Sequence, residues 1–378
     1  MSRLHICDTT LRDGEQAPGV AFSAEEKTEI AIMLDSAGVE QAEIGIPAMG
    51  EAECRSIARI AALGLQMKLM TWNRAVFTDI DAAESTGVGW AHISVPVSTV
   101  QMKAKLGMNP EQVTELIRKS VDYGLCKGLT VSVGFEDASR ADDLFLEQLA
   151  NQLYRDGVRR FRYADTLSVH HPAAIAARIE RFVSRVPQDV ELEIHCHNDY
   201  GLALANTLAA LQAGAVWAST TVSGLGERAG NTALEEVVMS WRDLYQGTCS
   251  VRPELLNPLA ALVSKASNRI IPEGKPIVGD MVFAHESGIH INGLLKERAA
   301  YQALDPTELG TDHSFVLGKH SGRSAVQYML EQEGIEAGSG EIKFLLERLR
   351  LVGEDPKRVI HSADLRRWLQ YYPAELPK

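Results

Sequence analysis

From the N-terminus to about residue 247, short apolar runs alternate with longer amphipathic stretches. The runs Leu4–Cys7, Val39–Ile46, Met67–Trp72, Trp90–Pro96, Leu129–Val133, Val158–Ala164, Val190–His197 and Ala215–Val222 have the length and make-up of strands. Between them the apolar spacing is close to the helical period, and the ends are punctuated. Ser23-Ala24-Glu25-Glu26 reads as a capping box opening a helix that carries Ile30, Leu34 and Ala37 and closes at Gly38. Asn109-Pro110 supplies an N-cap and a first-turn proline for a helix carrying Val113, Leu116, Ile117 and Val121, with a stop at Gly124. Eight strand-then-helix units in ~250 residues predict an α/β fold, a (β/α)8 barrel. The rival, an open doubly wound sheet, needs fewer strands and a glycine-rich first turn. The turn after the first run is instead Asp8-Thr9-Thr10-Leu11-Arg12-Asp13.

After residue 250 the rhythm breaks. Pro253, Pro258, Pro272 and Pro276 punctuate a stretch that is partly helical, Leu255–Ser267, and partly loop. Two further helices are predicted near Ser324–Glu333 and Glu341–Val352. The expected organisation is a barrel over 1–250, a linking subdomain over 251–323 and a helical C-terminal segment over 324–378, the appended region being smaller and mainly helical.

Composition narrows the function classes. With 38 Lys+Arg against 50 Asp+Glu, the 378-residue chain carries a formal charge of −12. Nucleic acid and anionic membrane surfaces need a basic footprint, so neither is expected as a partner. No apolar run approaches the ~20 residues of a membrane-spanning helix. The start, Met1-Ser2-Arg3-Leu4-His5, lacks a secretory pattern, and the expected location is the cytoplasm. Cys7, Cys54, Cys126, Cys196 and Cys249 are odd in number and scattered, against a disulfide framework or a cysteine-based zinc site.

The strongest chemical signal is Glu191-Leu192-Glu193-Ile194-His195-Cys196-His197. Alternation along a strand puts Glu191, Glu193, His195 and His197 on one side and Leu192, Ile194 and Cys196 on the other. Helices cover the outside of such a barrel, so the polar side points inward and the two histidines arrive at the catalytic end. Neutral imidazoles at that place suit a metal ion, and Cys196 reads as core. The top of the first strand lies near those of strands seven and eight. Asp13 can therefore complete a two-histidine, one-carboxylate site with open positions for an oxygen-rich substrate. Gly224-Leu-Gly-Glu-Arg-Ala-Gly-Asn231 lacks nucleotide-binding glycine spacing. It suits an anionic group or a fourth ligand.

Five motifs in order, Asp8–Gln16, His195-x-His197, Gly224–Asn231, His285-Glu-Ser-Gly-Ile-His290 and Leu317-Gly-Lys-His-Ser-Gly-Arg323, resemble those of the metal-dependent acyl-CoA Claisen-condensing TIM barrels. That family holds isopropylmalate, homocitrate and citramalate synthases with lyase and aldolase cousins, and the resemblance spans about residues 3–325. The run Glu43–Gly50, the segment Glu136–Asp142 and the end at 378 are most similar to the branch that joins acetyl-CoA to 2-oxoglutarate and serves nitrogen fixation. Two features depart from the lysine-pathway branch. Asp13 stands where that branch has Glu, and Asn231 has no equivalent there; both look like isopropylmalate synthase. The arginine that grips the distal carboxylate in that branch aligns with Ser132, placing Ser132 at the substrate and leaving Arg74, Arg140 and Arg162 as open candidates. Residues 1–378 hold no trace of the regulatory domain usual in isopropylmalate synthase, and leucine feedback through such a domain is not expected.

The resemblance implies a divalent cofactor, Mg2+, Mn2+, Co2+ or Zn2+, held by Asp13, His195, His197 and Asn231. It implies that Arg12 faces the developing oxyanion, that Gln16 and Thr166 hold the substrate carboxylate and that Glu193 lies beneath the metal. It implies further that His290, the first choice of base, and Tyr301 come from a partner subunit, so that a homodimer with shared sites is expected. His5, His92, His170 and His171 are read as ordinary core or surface histidines. Two rivals remain. A metal-dependent hydrolase would carry its histidine pair after the first strand, and an inactive scaffold would have lost Arg12, Asp13 or a histidine.

Overall fold

The computed structural model describes residues 3–352 and 360–372. Strands β1 (His5–Asp8), β2 (Gln41–Glu43), β3 (Lys68–Arg74), β4 (Trp90–Pro96), β5 (Thr130–Glu136), β6 (Arg160–Asp165), β7 (Glu191–Cys196) and β8 (Trp217–Thr220) pair in parallel and close into a barrel. Closure is set by β1 against β8, with His5 opposite Trp217 and Asp8 opposite Thr220. Around the sheet lie α1 (Ala24–Ser36), α2 (Glu51–Ala61), α3 (Phe77–Ser85), α4 (Thr99–Gln101), α5 (Pro110–Cys126), α6 (Asp143–Arg155), α7 (Pro172–Arg185), α8 (Ala203–Gln212), α9 (Leu234–Tyr245) and α10 (Leu256–Ser267).

The caps anticipated from sequence are in place. Ser23 Oγ accepts from Glu26 N at 3.2 Å while Glu26 Oε2 accepts from Ser23 N at 2.7 Å. Asn109 and Gln112 make the same reciprocal pair at the start of α5. That helix passes Gly124 and ends at Cys126, because Gly124 is buried there under Val131 and Ile93. A glycine mid-helix costs less than giving up that close approach.

Strand alternation sorts the two sides of the sheet. Ile93, Phe161, Leu192, Ile194 and Cys196 turn outward into the layer beneath the helices, where Phe135 and Phe161 stack at 5.4 Å. Inside the barrel stands a charged layer. Glu193 accepts from Arg160 Nη2 at 2.7 Å and from Arg162 Nε at 2.7 Å, Arg162 also pairs with Glu43 at 2.9 Å, and Arg160 packs 3.6 Å over Trp217. Buried charges persist only when so paired.

The chain divides into two compact units, Met1–Ile271 with Pro276–Val278, and Pro272–Lys275 with Gly279–Lys378. Residues 251–271, read from sequence with the appended region, belong to the first unit, because α10 packs on α1. The second unit holds β9 (Ala284–His285) beside β10 (Ser314–Phe315), and α11 (Gly288–Lys296), α12 (Arg323–Gln332), α13 (Ser339–Val352) and α14 (Ser362–Leu369). Its core is Ile291, Val326, Leu330, Leu345, Leu349, Leu365 and Trp368. α14 falls within the helical segment expected over 324–378, although its apolar residues are too few to mark its ends in the sequence.

Candidate active site

The turn after β1 is built by Thr9, whose carbonyl accepts from Arg12 N, Asp13 N and Gly14 N at 3.1, 2.8 and 3.1 Å. That winding lifts Arg12 and Asp13 over the barrel mouth. Thr10 Oγ1 accepts from Val222 N at 2.9 Å and ties this turn to the loop after β8. In that loop Ser223, Arg228 and the glycines Gly224 and Gly230 have positive φ. A Cβ on Gly226 would strike the Asn231 amide, and one on Gly230 would strike the Gly224 carbonyl. The motif's glycines therefore serve to press Asn231 against Asp13, to which its Nδ2 donates at 3.0 Å. Asn231 also bridges His197, the residue that follows β7.

Asp13, His195 and His197 offer ligand atoms that all lie within 4.8 Å of one another. His195 Nδ1 is hydrogen-bonded to Ser219 Oγ at 2.9 Å, and His195 Nε2 and His197 Nε2 face each other at 3.2 Å. Burial depresses the pKa of both imidazoles, that of His195 well below its ordinary value, so both are neutral at neutral pH. Burial alone would raise the Asp13 carboxyl, but the Arg12 guanidinium, 2.8 Å from Oδ2, with His195 and His197, holds it well below the usual range. Asn231 Oδ1 is buried without a hydrogen-bond partner. One carboxylate, two neutral imidazoles nose to nose and an amide oxygen without a protein partner form a donor set that suits a divalent cation.

These groups open into a cavity of about 250 Å³ whose walls include Arg12, Asp13, Gln16, Thr166, His195 and His197. Six of the residues singled out from sequence thus meet at one place, with Asn231 adjoining. Thr166 Oγ1 accepts from Asp137 N at 2.9 Å and keeps its own proton to donate. Glu193 and Ser132 are not on the wall. Glu193 is clamped by Arg160 and Arg162, and Ser132, 1% exposed, bonds Trp90 and His92. His290 and Tyr301 belong to the second unit, where their ring centroids lie 4.4 Å apart with the planes tilted by 32°. Of the open arginines, Arg74 pairs with Asp79 and Arg140 with Asp137, both off the wall; Arg162 lines it.

The walls also hold His92, Ser94, Lys105, Gly134, Glu136 and Arg228, of which the sequence reading made little. Lys105 pairs with Glu136 at 2.6 Å. Arg228 pairs with Asp199 at 2.8 Å, holding that carboxyl at about 2, and donates to the Thr166 carbonyl at 2.7 Å. His92-x-Ser94 carries the same alternation signal as His195-x-His197, but no neighbouring motif marked it as polar on the inward side.

With this geometry in view, comparison with known proteins is decisive. Residues 3–253 match the HMGL-like family. The chain belongs to that family. Residues 277–357 match the homocitrate synthase post-HMGL domain-like family. A homocitrate synthase of Frankia alni is 49% identical over 88% of this chain and 94% of its own length. Homocitrate synthase 1 of Nostoc sp. is 43% identical over 97% and 96%, and 2-isopropylmalate synthase 2 of Caldanaerobacter subterraneus 40% over 96% and 94%. Among solved structures, the HMG-CoA lyase of Bacillus subtilis superposes with a TM-score of 0.63 at 19% identity, covering 72% of this chain and 96% of that one. The hydroxymethylglutaryl-CoA lyase of Pseudomonas aeruginosa gives 0.63 at 21%, over 70% and 93%. These two share the barrel fold. The homocitrate synthases, matching over most of the chain, make this HMGL-like protein an acyltransferase-type enzyme. Among the described residues no helix is long and apolar enough to cross a membrane.

Proposed function

We propose that the chain condenses acetyl-CoA with 2-oxoglutarate and water to give (R)-homocitrate and CoA, acting in the cytoplasm and supplying homocitrate to the nitrogenase iron–molybdenum cofactor. The supporting observation is the Asp13, His195 and His197 cluster with its orphaned Asn231 oxygen, beside Arg12, in a chain 43–49% identical to homocitrate synthases. Asp13, His195, His197 and Asn231 would hold the divalent ion; Mg2+, Mn2+, Co2+ and Zn2+ all suit mixed N/O donors. When bound, it supplies Lewis acidity to the 2-oxo acid's carbonyl.

The protein's own residues do the rest. Arg12, held between Glu43 and Asp13, presents its guanidinium where the alkoxide develops. Thr166 Oγ donates to the carboxylate beside the ketone, and exposed Gln16 closes over it. His290 of a partner subunit, positioned by Tyr301, takes the methyl proton of acetyl-CoA, and the enolate carbon attacks the ketone carbon. Water then cleaves the thioester, releasing CoA and the new carboxylate. Buried Glu193 acts from beneath by holding Arg160 and Arg162.

CoA release from acetyl-CoA tests the reading against 2-oxoglutarate, 2-oxoisovalerate, pyruvate, oxaloacetate and glyoxylate, with Mn2+ and with a chelator. Preference for 2-oxoglutarate, abolished by the chelator, is expected. Asp13 and Asn231 are features shared with isopropylmalate synthases, and preference for 2-oxoisovalerate or pyruvate would move the assignment to isopropylmalate or citramalate synthase. The shared site has its own test. His290→Ala and His195→Ala chains, each inactive, should regain activity when mixed under subunit exchange; no recovery would sink it.

A further inference from the structure

The cavity wall carries a polar set on β4 that this chemistry leaves unused. His92 and Ser94 stand at i and i+2, on one face of the strand, opposite Ser132 and Gly134 of β5. Both line the cavity. A Cβ at Gly134 would collide with His92 Nε2, so the missing side chain makes the notch in which the ring edge sits. Among the described residues neither His92 Nε2 nor Ser94 Oγ has a hydrogen-bond partner, whereas the cationic groups of the wall are committed. Arg12 is held by Glu43 and Asp13, Arg162 by Glu43 and Glu193, Arg228 by Asp199, and Lys105 by Glu136.

The hydrogen bonds behind His92 decide which nitrogen carries its proton. Trp90 Nε1 lies 3.0 Å from Ser132 Oγ, and an indole N–H only donates, so it fills one lone pair of that oxygen. Ser132 then has one proton to place. Its choices are His92 Nδ1 at 3.0 Å or the Met70 thioether at 3.6 Å, and the imidazole nitrogen is much the stronger acceptor. Nδ1 therefore accepts and Nε2 carries the hydrogen. Burial, aided by the Arg162 charge, holds His92 well below its ordinary pKa, so the ring is neutral and this tautomer persists at neutral pH.

The geometry points to His92 Nε2–H and Ser94 Oγ–H as the donors that receive the distal carboxylate of the 2-oxo acid, with Ser132 and Trp90 as positioning residues that fix the His92 tautomer. This rests on the homocitrate reading above and gives Ser132 a role behind the substrate instead of against it. Two neutral donors hydrogen-bonding a carboxylate make charge-assisted bonds, and a pocket built around them rejects an acid ending in a methyl group, which leaves them unpaired.

The test compares kcat/KM for 2-oxoglutarate and for 2-oxovalerate, which keeps the chain length but ends in methyl. His92→Leu should collapse the preference for 2-oxoglutarate by ~100-fold. Ser132→Ala should raise KM for 2-oxoglutarate by about tenfold, more than it lowers kcat, with KM for acetyl-CoA unmoved, and Ser132→Thr should restore KM to within about threefold. Nitrogen NMR of 15N-histidine-labelled protein gives a readout independent of turnover and of whether His92→Leu folds. Wild-type His92 should show the Nε2–H pattern, and Ser132→Ala should shift it toward a mixture. An Nδ1–H pattern in the wild type, or equal losses for the two acids in a wild-type background that prefers 2-oxoglutarate, would overturn the subsite and leave the homocitrate reading intact. A wild-type enzyme that prefers a monocarboxylic acid would overturn both.

Discussion

Residue by residue, the site is a balance of burial against charge. His195 and His197 are lowered by burial, so they offer neutral nitrogens across neutral pH, and protons compete with a metal only as pH falls through the depressed values. The affinity for Mn2+ should accordingly change by less than about threefold between about pH 7.5 and about pH 6, where two histidines of ordinary pKa would lose roughly tenfold. Calorimetric titration at the two pH values checks this, and a tenfold loss would contradict the neutral pair. Asp13→Asn and His197→Ala should abolish the rise in Tm that Mn2+ produces. Asn231→Ala should weaken Mn2+ by about tenfold or more, since it removes both the amide oxygen and the Nδ2 bond that orients Asp13.

At the scale of elements, the loop after β8 stores its function in backbone conformation. Gly230 has φ +86° and abuts the Gly224 carbonyl, so Gly230→Ala adds both strain and a clash. A loss of ~1–3 kcal/mol in stability is expected from denaturant unfolding, together with weaker Mn2+ binding because Asn231 shifts. An unchanged metal affinity would show that the loop does not position Asn231. The N-terminus of α1 offers a contrast. Ser23→Ala removes half of a capping box on an exposed end, which should cost ~1 kcal/mol of stability and leave turnover untouched. The strands were legible because barrel strands are apolar toward the helices and punctuated by turns. His195 and His197 stood out because polar residues alternate there with Leu192, Ile194 and Cys196, whereas regular β2 is confined to Gln41–Glu43, with Ile44 N and Gly45 O still hydrogen-bonded to Met70 O and Trp72 N of β3.

For the molecule as a whole, the two units have separate cores. Leu345 of α13, fully buried in the core that α13 shares with α12 and α14, anchors the second. Leu345→Ala should cost that unit ~2–5 kcal/mol, seen as hydrogen-exchange protection lost within residues 279–352. Mn2+ affinity should be unchanged, because every proposed ligand comes from the first unit. A fall in affinity would mean that the cores are energetically coupled.

The chain's periodicity and turn chemistry were sufficient for the barrel, since both are local properties: a strand's alternation and a helix's cap are written within a few residues. His195-x-His197 and the Asp13 turn were readable for the same reason. What only the tertiary structure decided lies across the barrel. Glu43, Glu193, Arg160 and Arg162 come from three strands and become a neutralised layer only when the sheet closes. Arg228 meets Asp199 and Thr166 from a different strand's loop. His92, unremarkable in sequence, gains its setting from a serine and a glycine on the next strand, and no one-dimensional pattern records which residues are neighbours across a hydrogen-bonded register.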